Sequence, residues 1–221
     1  MKFSKDLLFR YIVFTLGLYF LAVGVTLIVR SCLGTTPISS INYVVSLHTP
    51  VTLGMATFGI NMLLIAGQFI LLRGIGSRRE RMEVMMQIPF SVIFSAFIDL
   101  NMALTASWTP QNYLWALGCL FAGCMTQAVG VVLELKPNVV IMSAEGFVKF
   151  ASRRYGREFG HLKVAFDVTL ISIATVLSLL WSGHVEGVRE GSVIAAVGTG
   201  YIVTFLSRHI FTRRMARRLR L

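Results

Sequence analysis

Charge is scarce in this chain, and negative charge scarcest of all. Only 14% of its 221 residues are charged, with 10 acidic residues against 21 basic ones. A soluble domain carries about 25% charged residues. With 55% apolar residues, the chain has more apolar surface than a soluble fold of this size buries, so lipid is its solvent over most of its length. Cysteine is nearly absent: Cys32, Cys119 and Cys124 make no paired framework, and the last two lie in one apolar run as small packing residues. The four histidines, His48, His161, His184 and His209, are scattered with no i, i+4 pair, so no histidine metal site is expected. The sequence also lacks a glycine-rich phosphate loop, a nucleophile elbow, a zinc-spaced cysteine pair and a nucleotide fingerprint. These absences exclude an ATP-driven pump built from this chain alone. They leave no catalytic residue, metal or cofactor to nominate.

What is present is a series of apolar runs: Tyr11 to Val29, Val51 to Leu72, Val84 to Leu104, Asn112 to Leu133, Val164 to Trp181 and Gly191 to Ser207. Lys2, Lys5 and Arg10 before the first run imitate a signal peptide. The run itself is too long for a signal core and long enough to span, so six transmembrane helices are expected. Apart from Arg30 and Arg189, every Lys and Arg falls in clusters on one predicted side, at Lys2 to Arg10, Arg73 to Arg81, Lys136 to Lys163 and Arg208 to Arg220. The positive-inside rule then places both termini in the cytoplasm, in a bacterial inner (plasma) membrane. The net charge of +11 is explained by this topology, and nucleic acid is not an expected partner. The tail, residues 212–221, and the basic loops would touch anionic lipid.

Two connections have character of their own. Thr35 or Thr36 before Pro37 predicts an N-cap and a short helix through about Leu47. Pro137 to Gly146 is mostly apolar, too short to cross a bilayer and carries Glu145; Ser143 can cap a helix running towards Arg154. Placing Ser40-Ile41-Asn42 over Ser143-Ala144-Glu145, and Gly54 and Asn61 over Gly160 and Asp167, fits one alignment with a three-residue insertion. Each half then reads as span, short re-entrant or interfacial helix, span, span. The expected fold is therefore an all-α membrane protein, one domain over residues 1–221. Its halves, about 8–104 and 112–211, form an inverted 3+3 repeat in which Asn42 matches Glu145 and Asn61 matches Asp167.

Small residues recur every four positions at Gly118, Ala122, Thr126 and Gly130, and again at Ser192, Ala196, Gly200 and Thr204; both stripes are expected to be packing seams. Ser91, Ser95 and Asp99 share a face of the third span, directed inward because exposing Asp99 to lipid is costly. Asp167 follows Lys163 by four residues and either pairs with it or serves transport. Glu145 is either a pathway charge or a carboxylate complementing a helix start. Arg189, Glu186 and Glu190 read as a surface charge cluster.

The segments Gly34-Thr-Thr-Pro-Ile-Ser, Pro137 to Gly146, Phe159-Gly-His-Leu-Lys-Val-Ala-Phe-Asp167 and Gly187-Val-Arg-Glu-Gly191 together resemble the YczE/YitT-type family of bacterial membrane proteins. The resemblance implies an inner-membrane protein of five or six spans and supplies no catalytic residues. Two functions fit the residues. The first is a small-solute or ion transporter with Asn42, Asn61, Asp99, Glu145 and Asp167 on its pathway, where Glu145 or Asp167 would bind a cation or proton. The second is a non-transporting subunit or substrate-capture component, a homo-oligomer or one acting with a partner protein. An intramembrane enzyme rests only on three separated carboxylates and has the least support.

Overall fold

The computed structural model describes residues 5–137 and 139–209. The described chain forms eight helices: α1 (Lys5–Arg30), α2 (Pro37–His48), α3 (Leu53–Leu71), α4 (Arg78–Leu104), α5 (Tyr113–Leu135), α6 (Ser143–Tyr155), α7 (Phe159–Ser182) and α8 (Glu190–His209). Five of them, α1, α3, α4, α5 and α7, are long and apolar enough to cross a membrane, and the apolar part of α8 is shorter. The protein is therefore all-helical and membrane-embedded. The expected basic tail, including Arg213 to Arg220, lies outside the described residues.

Helix starts are set by local chemistry. Thr52 accepts a bond from the Met55 amide and opens α3, and Asn112 does the same for α5 through Trp115. Ser77 and Glu80 exchange reciprocal bonds in a capping box before α4. Glycines with left-handed backbone close α6 and α7: Gly156 has φ 60° and Gly183 φ 73°. Helices α4 and α7 start earlier than the apolar runs alone suggested. Charged residues in the first turn of α4, and Lys163 just after the first turn of α7, extend each helix past its apolar stretch without joining it.

The described chain divides into two compact units. Unit 1 combines Met1–Thr36, Leu100–Val139 and Arg189–Leu221, and so holds α1, α5, α8 and the last turn of α4. Its centre is a glycine seam between α1 and α5. A Cβ on Gly24 would lie 2.6 Å from the Gln127 backbone nitrogen, and one on Gly130 would lie 2.6 Å from the Leu21 nitrogen. The two helices thus pack backbone to backbone, as apolar helices in lipid do when small residues allow it. Helix α8 packs on the adjacent face, with Ala195 against Ala116, Leu120 and Cys124 and with Leu206 against Ala128 and Val132.

The expected seams need correction. Gly118 and Ala122 face outward, as do Ala196, Gly200 and Thr204; only Gly130 and Ser192 of the two stripes are buried. Strict four-residue spacing drifts around a helix of 3.6 residues per turn. The contacting face instead alternates steps of three and four, through Gly123, Gln127 and Gly130.

Unit 2 combines Pro37–Asp99 and Val140–Val188, and so holds α2, α3, most of α4, α6 and α7. The two short helices pack against both α3 and α7. His48, at the end of α2, stacks on Trp181 near the end of α7, with centroids 5.5 Å apart, while Ile41 and Val44 meet Leu170 and Ala174. Helix α2 therefore runs in the same direction as α7. Helix α6 runs the opposite way, since Phe147 stacks on Phe166 at 5.6 Å and Gly156 turns the chain directly into α7. At its C-terminal end, Arg154 donates to the Leu71 and Arg73 carbonyls and Arg153 pairs with Glu80. These cations sit on the α3 C-terminus and the turn into α4, where the helix dipole favours positive charge.

Candidate functional site

The site is built around α3. Gly54, Thr57, Asn61 and Gln68 recur at helical spacing and are all buried, so this otherwise apolar helix has one polar face. Helix α4 presents Gln87, Ser91, Ser95 and Asp99, spaced by four. Both ends of the two faces are tied together. At one end, Asp99 accepts from the Gly54 amide at 2.8 Å and from the Thr52 hydroxyl at 2.7 Å. Its carboxylate thereby sits on the positive end of α3. Gly54 is required here, because a Cβ would stand 2.5 Å from the Asp99 carboxyl carbon and 2.3 Å from the Ser95 carbonyl oxygen.

At the other end, Gln68 and Gln87 form a reciprocal amide pair at 2.9 and 3.0 Å. Between these ties, the register brings Asn61 level with Ser91 and Ser95.

The short helices complete the site. Asn42 of α2 donates its Nδ2 to Thr57 Oγ1 at 3.1 Å. Ser143 does not act as an N-cap: it is the first residue of α6, and its hydroxyl donates to Asn61 Oδ1 at 2.6 Å. The Ser143 carbonyl accepts from Gln68 Nε2 at 3.0 Å. Gly146 leaves room for this arrangement, since a Cβ there would be 2.7 Å from Gln68 Oε1.

Asn61 is close to the midpoint of α3, so α6 begins halfway along that helix. Register places the start of α2 at the same level, by two measures. Stepping back from Asn42 at Thr57 brings Pro37 opposite the region of Asn61, and stepping back from His48 at Trp181 brings it opposite Leu170, midway along α7. The two half-length helices thus direct their N-termini towards one level from opposite ends.

Four polar atoms within about one turn of this level have no hydrogen-bond partner among the described residues: Asn42 Oδ1, Asn61 Nδ2, Ser91 Oγ and Ser95 Oγ. Their residues are only 1%, 4%, 0% and 6% exposed. Leaving such a group buried and unpaired costs about 1–3 kcal/mol. The carboxylates closest to this level along the helices are Glu145, in the first turn of α6, and Asp99, at the start of α3.

Of the five residues nominated from sequence, Asn42 and Asn61 come together, one turn apart along α3. Asp99 caps the end of the same helix. Glu145 is half-buried in the first turn of α6, and no ion pair to it occurs among the described residues. Asp167 is held by Lys163 at 2.7 Å, the i, i+4 ion pair. Sequence reasoning missed Gln68, Gln87 and Thr57. Extending the Ser91, Ser95, Asp99 stripe back one turn would have found Gln87, and two further turns past Asn61 would have found Gln68.

The expected charge cluster at the α7–α8 link takes another form. Glu186 bonds His48 at 2.6 Å and His184 at 3.2 Å, and Arg189 donates to the Cys32 carbonyl. The His48 bond holds the Glu186 carboxyl below its usual range.

Unit 1 has a cavity of about 320 Å³ lined by Leu27, Arg30, Trp108, Trp115 and Cys119. Its walls are almost wholly apolar, with few convergent polar groups, so volume alone does not make it the functional centre. Arg30 is already engaged there, with the Met102 carbonyl at 2.7 Å and the Thr105 hydroxyl at 3.2 Å.

No curated protein and no solved structure matches the chain. A family model does match, over residues 8–208. The chain belongs to the family of unknown function DUF6198.

Proposed function

We propose that this protein is a transporter of a small solute or ion in a bacterial inner membrane, with its pathway through the polar interior of unit 2. The observation that carries this reading is the set of four unpaired polar atoms where two half-length helices point their N-termini. Buried polar groups are ordinarily satisfied. Unsatisfied ones at the middle of apolar helices mark a place that something polar occupies, and half-helices ending at mid-depth are how transporters build such places.

An inverted repeat of six spans is part of the same reading, with α8 as the sixth and both termini cytoplasmic. The pattern of helix pairs supports it. Helix α2 packs on α3 and α7, while α6 packs on α7 and α3; α1 packs on α5. Exchanging the first four helices for the last four returns the same pairs. The pair of α5 with α8 has no packed equivalent between α1 and α4 among the described residues, where Arg30 alone bonds the end of α4. Ser143 stands as far after Pro37 as Phe159 does after Leu53. That interval keeps Asn61 opposite Asp167 and sets Glu145 opposite Ser39.

The test compares solute and ion content between a deletion strain, its complement with the wild-type gene and its complement with Asn61→Ala. One or more solutes should change on deletion and be restored by wild type only. Identical profiles in all three strains, with the protein present in the membrane, would sink the transport reading.

A further inference from the structure

We propose that the solute is a small monovalent oxyanion bearing an O–H of its own, such as a hydroxycarboxylate. This rests on the reading of unit 2 as a solute pathway and adds the chemical class. The orientation of Asn42 is fixed by its neighbour. Thr57 Oγ1 donates to the Leu53 carbonyl at 2.7 Å, so it can only accept from Asn42, and the amide oxygen is the atom left unpaired. Asn61 is oriented by Ser143 so that its NH₂ is free. The unpaired groups at this level are therefore one acceptor, Asn42 Oδ1, one donor, Asn61 Nδ2, and the hydroxyls of Ser91 and Ser95, which can donate or accept and so bring the available donors to three.

Two helix N-termini add partial positive charge at the same level, together equivalent to about one elementary charge before screening, of which Glu145 in the first turn of α6 offsets a part. A bare cation would meet these positive ends and an outward NH₂, so it is disfavoured. A divalent anion would need a formal positive charge that the polar face lacks. A neutral amide or polyol would gain nothing from the two dipoles. A monovalent oxyanion uses all three donors on its anionic oxygens and gives its hydroxyl proton to Asn42 Oδ1.

The experiment reconstitutes the full chain in liposomes and follows entry of labelled glycolate, sulfate, urea and rubidium. Glycolate should enter, and the other three should not exceed protein-free liposomes. Asn61→Ala, and separately the double variant Ser91→Ala with Ser95→Ala, should each cut glycolate entry about tenfold or more, as expected for losing hydrogen bonds to a charged group. Glycolate should also raise the melting temperature of wild type in detergent and not that of Asn61→Ala, a readout independent of flux. Entry of urea or rubidium that Asn61→Ala abolishes, without glycolate entry, would overturn the oxyanion assignment and leave the transport reading standing. Glycolate entry unchanged in both variants would overturn the assignment of the site. No entry of any probe and no thermal shift would overturn the inference, while the strain comparison above still decides the broader reading.

Discussion

Units 1 and 2 solve the problem of holding helices together in lipid by opposite means. Unit 1 brings α1 and α5 backbone to backbone over glycines, so its cohesion is contact at short range. Unit 2 joins α2, α3, α4 and α6 through amides, hydroxyls and one carboxylate, so its cohesion is hydrogen bonding. Among the described residues unit 1 has two unpaired buried side-chain atoms, Gln127 Oε1 of α5 and Thr199 Oγ1 of α8, against four in unit 2. Unit 2 gathers its unpaired groups at one level. A glycine seam tolerates almost no rearrangement, whereas a polar face can exchange partners with a passing solute. The first is suited to a scaffold and the second to a working part.

The largest effect should come from breaking the seam. Gly24→Leu drives a side chain into the Gln127 backbone and should destabilise by about 3 kcal/mol or more, at the top of the overpacking range. A Cβ on Gly118 meets nothing within 4 Å, so Gly118→Leu should leave the melting temperature in detergent nearly unchanged. Equal effects would remove the contrast between the buried and outward stripes of α5.

A smaller effect tests the polar unit. Gln68→Leu or Gln87→Leu alone strands the other amide and should cost about 1–3 kcal/mol. The double variant should cost clearly less than the sum, because no buried amide is left unpaired. Additive losses by chemical denaturation would mean the pair is not coupled. Asp99→Asn keeps the geometry and removes the charge at the start of α3, and should cost about 0.3–1 kcal/mol, shrinking in high salt.

The smallest effect is pH-dependent. The Glu186 carboxyl lies below its usual range because His48 bonds its charged form. Its contribution is therefore present above the ordinary glutamate value, about 4.3, and is lost as pH falls through the lower folded value. Melting curves of wild type and Glu186→Gln should differ near neutral pH and converge under strong acid. A gap that widens with acidification would contradict the pairing.

Much of this architecture was legible in the sequence. The apolar runs gave the long helices because lipid imposes a minimum length, and Pro37 and Ser143 marked the short ones. Asn42 and Asn61 stood out because an amide in an apolar run needs a reason. Gln68 and Gln87 carry the same signal, each an uncharged amide within an apolar run. The small-residue stripes misled for a different reason. In lipid, a small residue is acceptable on either face, so spacing alone does not say which face meets a neighbour. Only the facing helix decides that, and it is distant in sequence.

The division of the chain also bears on biosynthesis. The sequence passes from one unit to the other after Thr36, Asp99, Val139 and Val188, so neither unit is a continuous stretch of polypeptide. As the chain emerges from the ribosome, α1 waits for α5 through the synthesis of three helices that belong mainly elsewhere. Unit 2 is complete once α7 and its following loop have been made, whereas unit 1 needs α8, the last helix. A nascent chain stalled before α8 would therefore hold a finished polar unit beside an unfinished scaffold, and quality-control proteases would find their target in unit 1.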